Sequence, residues 1–178
     1  TQGVDVGSHL ILENYPYFLG KHLDCNVLNY GQMGRTAKTW WDTYKNTYSF
    51  TPAIDVVLIM FGTNGGLRNN TLDTDVEPYD NWEDYADTSV GCYCKLIEHI
   101  MEDTQNRAQI MLMTPPYSTF SAEQLQTVIE SETTIRAIAK RYNLPVIDVL
   151  NESGMGKFNA SVFRPHDGCY FSARGYHR

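Results

Sequence analysis

Three short polar segments contain the residues of this sequence that could carry out chemistry. They run from Asn29 to Thr36 (NYGQMGRT), from Phe61 to Gly65 (FGTNG) and from Pro165 to Phe171 (PHDGCYF). The first two follow apolar stretches, so their glycines and amides fall where strands are predicted to end. Each segment also has a plain structural interpretation, because glycine after a strand usually forms a turn and asparagine in Thr-Asn-Gly usually caps one.

Helices and strands must alternate along the chain to position these segments. Apolar residues at helical spacing predict helices from about Tyr15, from about Tyr93 and after Ser121, where Ser121 and Gln124 form a candidate capping box. Apolar runs predict strands at Cys25–Asn29, Ile54–Phe61, Gln109–Thr114 and Leu144–Asp148. The run Ile54–Phe61 is nearly all apolar, which is typical of a central parallel strand that is covered on both faces.

This alternation predicts one fold class. Strands separated by helices of this length form a parallel sheet through crossover connections, so we expect a three-layer α/β/α sandwich with a parallel, flavodoxin-like sheet. In such a fold, ligands bind at the carboxyl ends of the strands. The 178 residues suit a single domain.

Taken together and in this order, the segments resemble the SGNH/GDSL-type serine esterases. That family has the sequence blocks GDSxTxG, NxGxxGxT, GxND and DxxH, and the resemblance extends over essentially the whole chain. Thr1-Gln2-Gly3 looks like the end of the first block. The resemblance therefore implies that the nucleophilic serine and the first strand of the sheet lie upstream of Thr1.

The resemblance also assigns roles to individual residues. In the family, the glycine of the second block and the asparagine of the third donate hydrogen bonds to the oxyanion, which corresponds to Gly34 and Asn64 here. Such donors stabilise the negative charge that develops on the carbonyl oxygen during acyl transfer. Asp167 matches the aspartate of the last block, and Gly65 replaces the acidic residue of GxND.

Tyr170 occupies the position of the catalytic histidine in the family pattern. A phenol with a pKa near 10 is a poor general base at neutral pH, so we expect this exact chain to be impaired as an esterase. His166, next to Asp167, is an alternative base, and His177 is a more distant one. Tyr170 results either from a natural loss of esterase activity or from a change of histidine to tyrosine in an otherwise working enzyme.

Two further segments are candidate substrate-binding residues. Pro116 and Tyr117 follow a predicted strand in a stretch that resembles the family's TPP segment, and Arg68 and Asn69 lie on the long loop after Asn64. Both also have an interpretation as ordinary surface loops.

The function implied by the resemblance is hydrolysis of a small acyl ester, for which we expect carbohydrate O-acetyl groups as substrate. The reaction would proceed through an acyl-enzyme and would need no metal or other cofactor. The alternative is an SGNH scaffold that binds glycans as part of a larger surface or phage-tail protein, and Tyr170 favours it. A nucleotide binder is disfavoured because no glycine-rich phosphate loop follows a predicted strand.

Composition narrows the classes of partner. The formal net charge of −7 and the lack of a basic block argue against nucleic acid and favour neutral or cationic ligands. The longest apolar run, Val56–Phe61, is far shorter than the roughly 20 residues of a membrane span. The four cysteines have no zinc-site spacing and are expected to be buried thiols. A secreted or surface location is favoured over a cytoplasmic one.

Overall fold

The computed structural model describes residues 14–65, 67, 71–72, 74–164 and 171–177. Within them the chain forms seven α-helices, three strands and one 3₁₀ turn at Trp82–Asp84. The helices are α1 (Tyr15–Leu23), α2 (Ala37–Tyr44), α3 (Ser89–Asp103), α4 (Ala122–Tyr142), α5 (Val149–Glu152), α6 (Ala160–Phe163) and α7 (Ala173–His177). The strands are β1 (Val56–Met60), β2 (Gln109–Met113) and β3 (Val146–Ile147).

The three strands form a parallel sheet in the order β1-β2-β3. Val56 pairs with Gln109 and Met60 with Met113, while Met113 also pairs with Ile147. The carboxyl ends of all three strands therefore meet at one edge. The segments after Met60, Met113 and Ile147 consequently start side by side.

The long helices α3 and α4 cover this sheet with apolar side chains. Ile97 of α3 and Ile135 of α4 are buried with Ile59, Ile110 and Leu112 of the strands. The hydroxyl of Tyr93, also in α3, donates to the carbonyl oxygen of Ile59 at 3.1 Å. Burial of these side chains supplies the main driving force for folding.

A buried polar cluster joins α3 to α4 on the side of the core away from the strand ends. The Glu98 carboxylate, only 5% exposed, accepts hydrogen bonds from Tyr142 at 2.6 Å and from Tyr85 at 2.8 Å. The Arg141 guanidinium donates to the Tyr85 hydroxyl. Burial and the adjacent Glu98 carboxylate raise the pKa of Tyr85 to about 12, so it stays a donor at neutral pH. The cluster is a fully hydrogen-bonded structural link.

Helix α2 was not anticipated from the sequence. It begins with a capping box, in which Thr36 and Thr39 each accept the other's backbone N–H. Its tryptophans Trp40 and Trp41 are buried, and α2 packs against α3. The second half of the NYGQMGRT segment is thereby attached to the core.

The expected strand at Cys25–Asn29 is wrong. These residues form no strand and all five are exposed, although the helix before them, α1, has the expected bounds. A strand needs a hydrogen-bonded neighbour, and no described segment supplies one. Because no described strand pairs with the other side of β1, this strand lies at an edge of the described sheet and not at its centre, and Val56 is 49% exposed.

Three smaller expectations also need correction. Cys25 is exposed, whereas Cys92 and Cys94 are buried as expected. Ile129, which the helical spacing after Ser121 predicts on the apolar face of α4 with Leu125, Val128, Ile135 and Ala139, does not belong to it, because it is 44% exposed. The capping box at Ser121 is only half formed: Ser121 accepts from the Gln124 backbone N–H, but the Gln124 side chain turns elsewhere.

The described helices are all unsuited to spanning a membrane. None of them is both long enough and apolar enough to cross a bilayer.

Candidate active site

Gly34 lies in an open turn just before α2. Its φ of +71° is in the left-handed region, and a Cβ built there would meet no atom within 4 Å. The free space leaves the backbone accessible to a ligand. Thr36 then caps α2, whose first turn has no acidic residue, so the positive end of the helix favours a negative charge nearby.

Asn64 is an exposed residue that follows β1. Its side-chain nitrogen Nδ2 donates to the carbonyl oxygen of Arg35 at 3.2 Å. This bond fixes the amide beside the turn that contains Gly34. An amide has two N–H donors, so one holds the side chain in place and the second is available to a ligand.

The loop between β1 and Asn64 is tightly packed at Gly62. Its φ is +112°, and a Cβ there would lie 2.6 Å from Cβ of Ser131 and 3.3 Å from Cγ of Pro115. Glycine is therefore required at this position. The segment 62–65 (GTNG) is therefore held in place by packing at Gly62, while Asn64 is exposed.

Pro116 and Tyr117 follow β2 at the same edge of the sheet. Pro116 is buried and Tyr117 is half-buried. Pro115, the residue before them, contacts the Gly62 turn. This segment thus neighbours the loop that carries Asn64.

Several residues singled out from the sequence lie outside the described residues. They are Thr1, Arg68, Asn69, His166, Asp167 and Tyr170. His177 is described, and its ring packs against Phe18 of α1 with ring centroids 4.8 Å apart. The structure therefore brings Gly34 and Asn64 together and packs His177 against α1.

The sequence analysis missed a group of aromatic residues beside the Gly34 turn. Tyr48 stacks on Tyr30 at 4.4 Å and on Tyr44 at 5.8 Å between ring centroids. Gln32 donates to the Tyr48 hydroxyl, and the Arg35 guanidinium lies over the Tyr44 ring at 5.5 Å. The signal was the i, i+4 spacing of Tyr44 and Tyr48, which brings two rings to one side of a helical turn.

One described group has the residue types of a metal site. Asp42, Asp87 and Cys92 bring their ligand atoms within 4.8 Å of one another. Lys38 Nζ already contacts Asp42 at 3.0 Å and Asp87 at 2.7 Å, and its hydrogen bond holds the pKa of Asp87 below the ordinary value. Burial raises the pKa of Cys92 to about 11, so its thiol is protonated at neutral pH. An ammonium group thus balances these carboxylates.

Sequence comparison identifies the family. The whole chain, residues 1–178, matches the model of the GDSL-like Lipase/Acylhydrolase family. The chain belongs to this family. No curated protein matches the sequence. Family membership supports hydrolysis of acyl esters as the chemistry of this chain.

Several solved structures share the fold of this chain. The lipase/acylhydrolase from Enterococcus faecalis superposes with a TM-score of 0.68 at 20% identity, over 98% of this chain and 84% of the other. A possible lipase from Chitinophaga pinensis gives a TM-score of 0.65 at 19% identity, over 92% and 83%. The M. smegmatis aryl esterase gives 0.63 at 16% identity, over 99% and 88%. The expected α/β fold with a parallel sheet is confirmed.

Proposed function

We propose that this chain is the main part of a serine-type ester hydrolase in which Gly34 and Asn64 bind the oxyanion. The hydrogen bond from Asn64 to Arg35 carries this proposal, because it brings a side-chain amide beside an open glycine turn. One amide hydrogen holds the geometry and the other, with the Gly34 N–H, is directed to the carbonyl oxygen of the ester. Two fixed donors are what a developing oxyanion requires.

The reaction follows from these donors and a serine upstream of Thr1. The serine oxygen bonds to the carbonyl carbon while its proton passes to a base, and the alcohol leaves with that proton. Water then attacks the acyl-enzyme in the same way, and the acid and free serine result. Asp167 would orient a base at position 170, which is a histidine in the family pattern and Tyr170 in this chain, and His166 is the alternative base.

The upstream segment of this proposal also includes the strand that would pair with β1. Exposed apolar side chains support it, since Val56 is 49%, Val27 37% and Leu28 64% exposed. An unpaired strand edge and exposed apolar residues are both unfavourable in water. A strand placed between β1 and the segment 25–29 would cover both.

We propose carbohydrate O-acetyl groups as the substrate class. The half-buried rings of Tyr30, Tyr44 and Tyr48 next to the Gly34 turn support this choice. Tyrosine offers an apolar face together with a hydroxyl, which suits the mixed surface of a sugar. Arg68, Asn69, Pro116 and Tyr117 are the further proposed substrate contacts.

Hydrolysis of p-nitrophenyl acetate tests the proposal. The assay uses a chain that carries the upstream serine, in the Tyr170 form and as Tyr170→His, with replacement of that serine by alanine as the control. We expect the histidine form to be faster by at least about 10²-fold, the lower end of what a positioned base contributes.

Two other results would change the assignment. Equal activity of the tyrosine and histidine forms would mean that either His166 is the base or the chemistry does not use a triad, and the assignment of the C-terminal block would be wrong. Absence of hydrolysis in both forms, together with binding to acetylated glycans, would favour the glycan-binding scaffold.

A further inference from the structure

We propose that Gln124 and Ser131 of α4 are positioning residues that hold Asn64 in place for catalysis. This inference rests on the proposed role of Asn64 as an oxyanion donor. Neither residue belongs to the segments that resemble the family blocks. Both lie on a helix that follows the next strand of the sheet, more than 55 residues after Asn64 in the sequence.

The two side chains bind consecutive carbonyl groups of the loop before Asn64. Ser131 Oγ donates to the carbonyl oxygen of Gly62 at 3.1 Å, and Gln124 Nε2 donates to that of Thr63. The Thr63 carbonyl belongs to the peptide group that ends at the Asn64 nitrogen. These bonds therefore set the orientation of the peptide planes from which the Asn64 side chain extends.

Their spacing on α4 matches the direction of the loop. Gln124 and Ser131 are seven residues apart, which is two helical turns, so both lie on one face of α4. Thr134 continues this face and contacts the Leu67 carbonyl at 3.5 Å. One polar face of α4 thus follows the chain on both sides of Asn64.

The surroundings of Ser131 explain why this loop has so little freedom. Ser131 is fully buried, and its Cβ approaches Gly62 so closely that only glycine fits, at a φ of +112°. Gly62 alone would be flexible, because glycine adopts many conformations. Contact with Ser131 selects one of them.

The Gln124 side chain could form a hydrogen bond within its own helix but does not. As the third residue after the N-cap Ser121, it could bond back to the Ser121 backbone and complete a capping box. Its side chain instead reaches Thr63, 61 residues away in sequence. Helix stability alone would favour the local bond, so the contact with the loop indicates a role in the site.

Precise placement matters for an oxyanion donor. Donors act only when they lie at hydrogen-bond distance from the transition-state oxygen, and displacement by about 1 Å can cost 10²-fold in rate. Asn64 is exposed and has one hydrogen bond of its own, to Arg35. Its position therefore depends on the backbone that α4 holds.

The kinetic test compares Ser131→Ala and Gln124→Met with Thr127→Val in a chain that carries the upstream serine. Thr127 is a matched control, since its buried hydroxyl donates to Glu123 within α4 and not to the loop. We expect each positioning variant to lower kcat about 10-fold or more with KM nearly unchanged, while any loss of Tm should be similar to that of Thr127→Val, which also removes a buried hydroxyl. The control should keep its kcat.

A second readout on the 178-residue chain needs no activity. The side-chain amide signals of Asn64 are followed by ¹⁵N NMR, and we expect Ser131→Ala and Gln124→Met to shift them while Thr127→Val does not. Signals that stay in place in both variants would overturn the positioning role, whatever happens to kcat or Tm. Shifted signals in a protein whose complete form hydrolyses no ester would support the positioning role and refute the proposed function.

Discussion

The side-chain amide of Asn64 donates a hydrogen bond of 3.2 Å to the carbonyl oxygen of Arg35. This bond joins the end of β1 to the turn before α2, two segments that are 29 residues apart in the sequence. It places an amide with one remaining N–H next to Gly34. The candidate oxyanion site is thus assembled by the Asn64 side chain itself.

Replacement of Asn64 by alanine tests this assignment. In an active form that carries the proposed nucleophilic serine, Asn64→Ala should lower kcat by about 10²–10³ with little change in KM, the usual loss for one oxyanion donor. The Tm should hardly change, because the side chain is exposed. Steady-state kinetics and thermal melts check both, and a fall in Tm in step with the loss of activity would make Asn64 a structural turn residue.

The two positive-φ glycines of the site should respond differently to alanine. Gly62→Ala places a Cβ 2.6 Å from Ser131, so strain and overpacking should destabilise the fold by about 2–5 kcal/mol. Gly34→Ala meets no neighbour and should cost only about 1–2 kcal/mol from its backbone conformation. Urea denaturation measures both, and equal losses would show that the packing at Gly62 is looser than described.

The buried Glu98 cluster should contribute to stability and not to activity. Tyr142→Phe removes a 2.6 Å donor from a buried carboxylate and should destabilise the protein by about 1–3 kcal/mol. Tyr79→Phe is the control, since it keeps the ring contact of this exposed tyrosine with Tyr142 and removes only a hydroxyl that donates over 3.4 Å, which should cost less than about 0.5 kcal/mol. Chemical denaturation compares the free energies of unfolding of the two variants. Similar small losses of stability would mean that the Glu98 carboxylate finds other hydrogen-bond donors.

Asp148, just after β3, should make stability depend on pH in the acid range. Burial opposes its ionisation, but hydrogen bonds from Asn151 and Thr114 and the charge of Arg136 outweigh burial and lower its pKa. A lowered pKa means that the folded form holds the charge more readily, so the stabilisation is present above about pH 4 and is lost as pH falls through the folded pKa.

Asp148→Asn isolates this effect. At pH 7 the native protein should be more stable than the variant by about 1–2 kcal/mol, the scale of a charged hydrogen bond. The difference should shrink as the pH is lowered into the acid range and passes through the lowered pKa of Asp148. Denaturation midpoints at pH 7 and at acidic pH measure this difference in stability. A difference that is independent of pH would show that the charge of Asp148 does not stabilise the fold.

Patterns along the sequence predicted the elements that depend on local periodicity. The helix at Tyr15–Leu23 and the strand at Gln109–Met113 appear where apolar spacing and turn residues indicated them. The expected strand at Cys25–Asn29 failed because a strand depends on its neighbour, which periodicity does not report. Helix α2 was missed because its capping box uses two threonines, Thr36 and Thr39, without the usual acidic partner.

The sequence by itself determined the family, the parallel α/β fold and the order of the blocks that contain Gly34 and Asn64. These depend on residue types and spacing, which lie along the chain. Tertiary structure alone decided that Asn64 bonds to Arg35 and that Gln124 leaves its own helix cap for Thr63. Such contacts join residues far apart in sequence, and only the folded chain brings α4 and the turn before α2 within hydrogen-bond distance of the loop after β1.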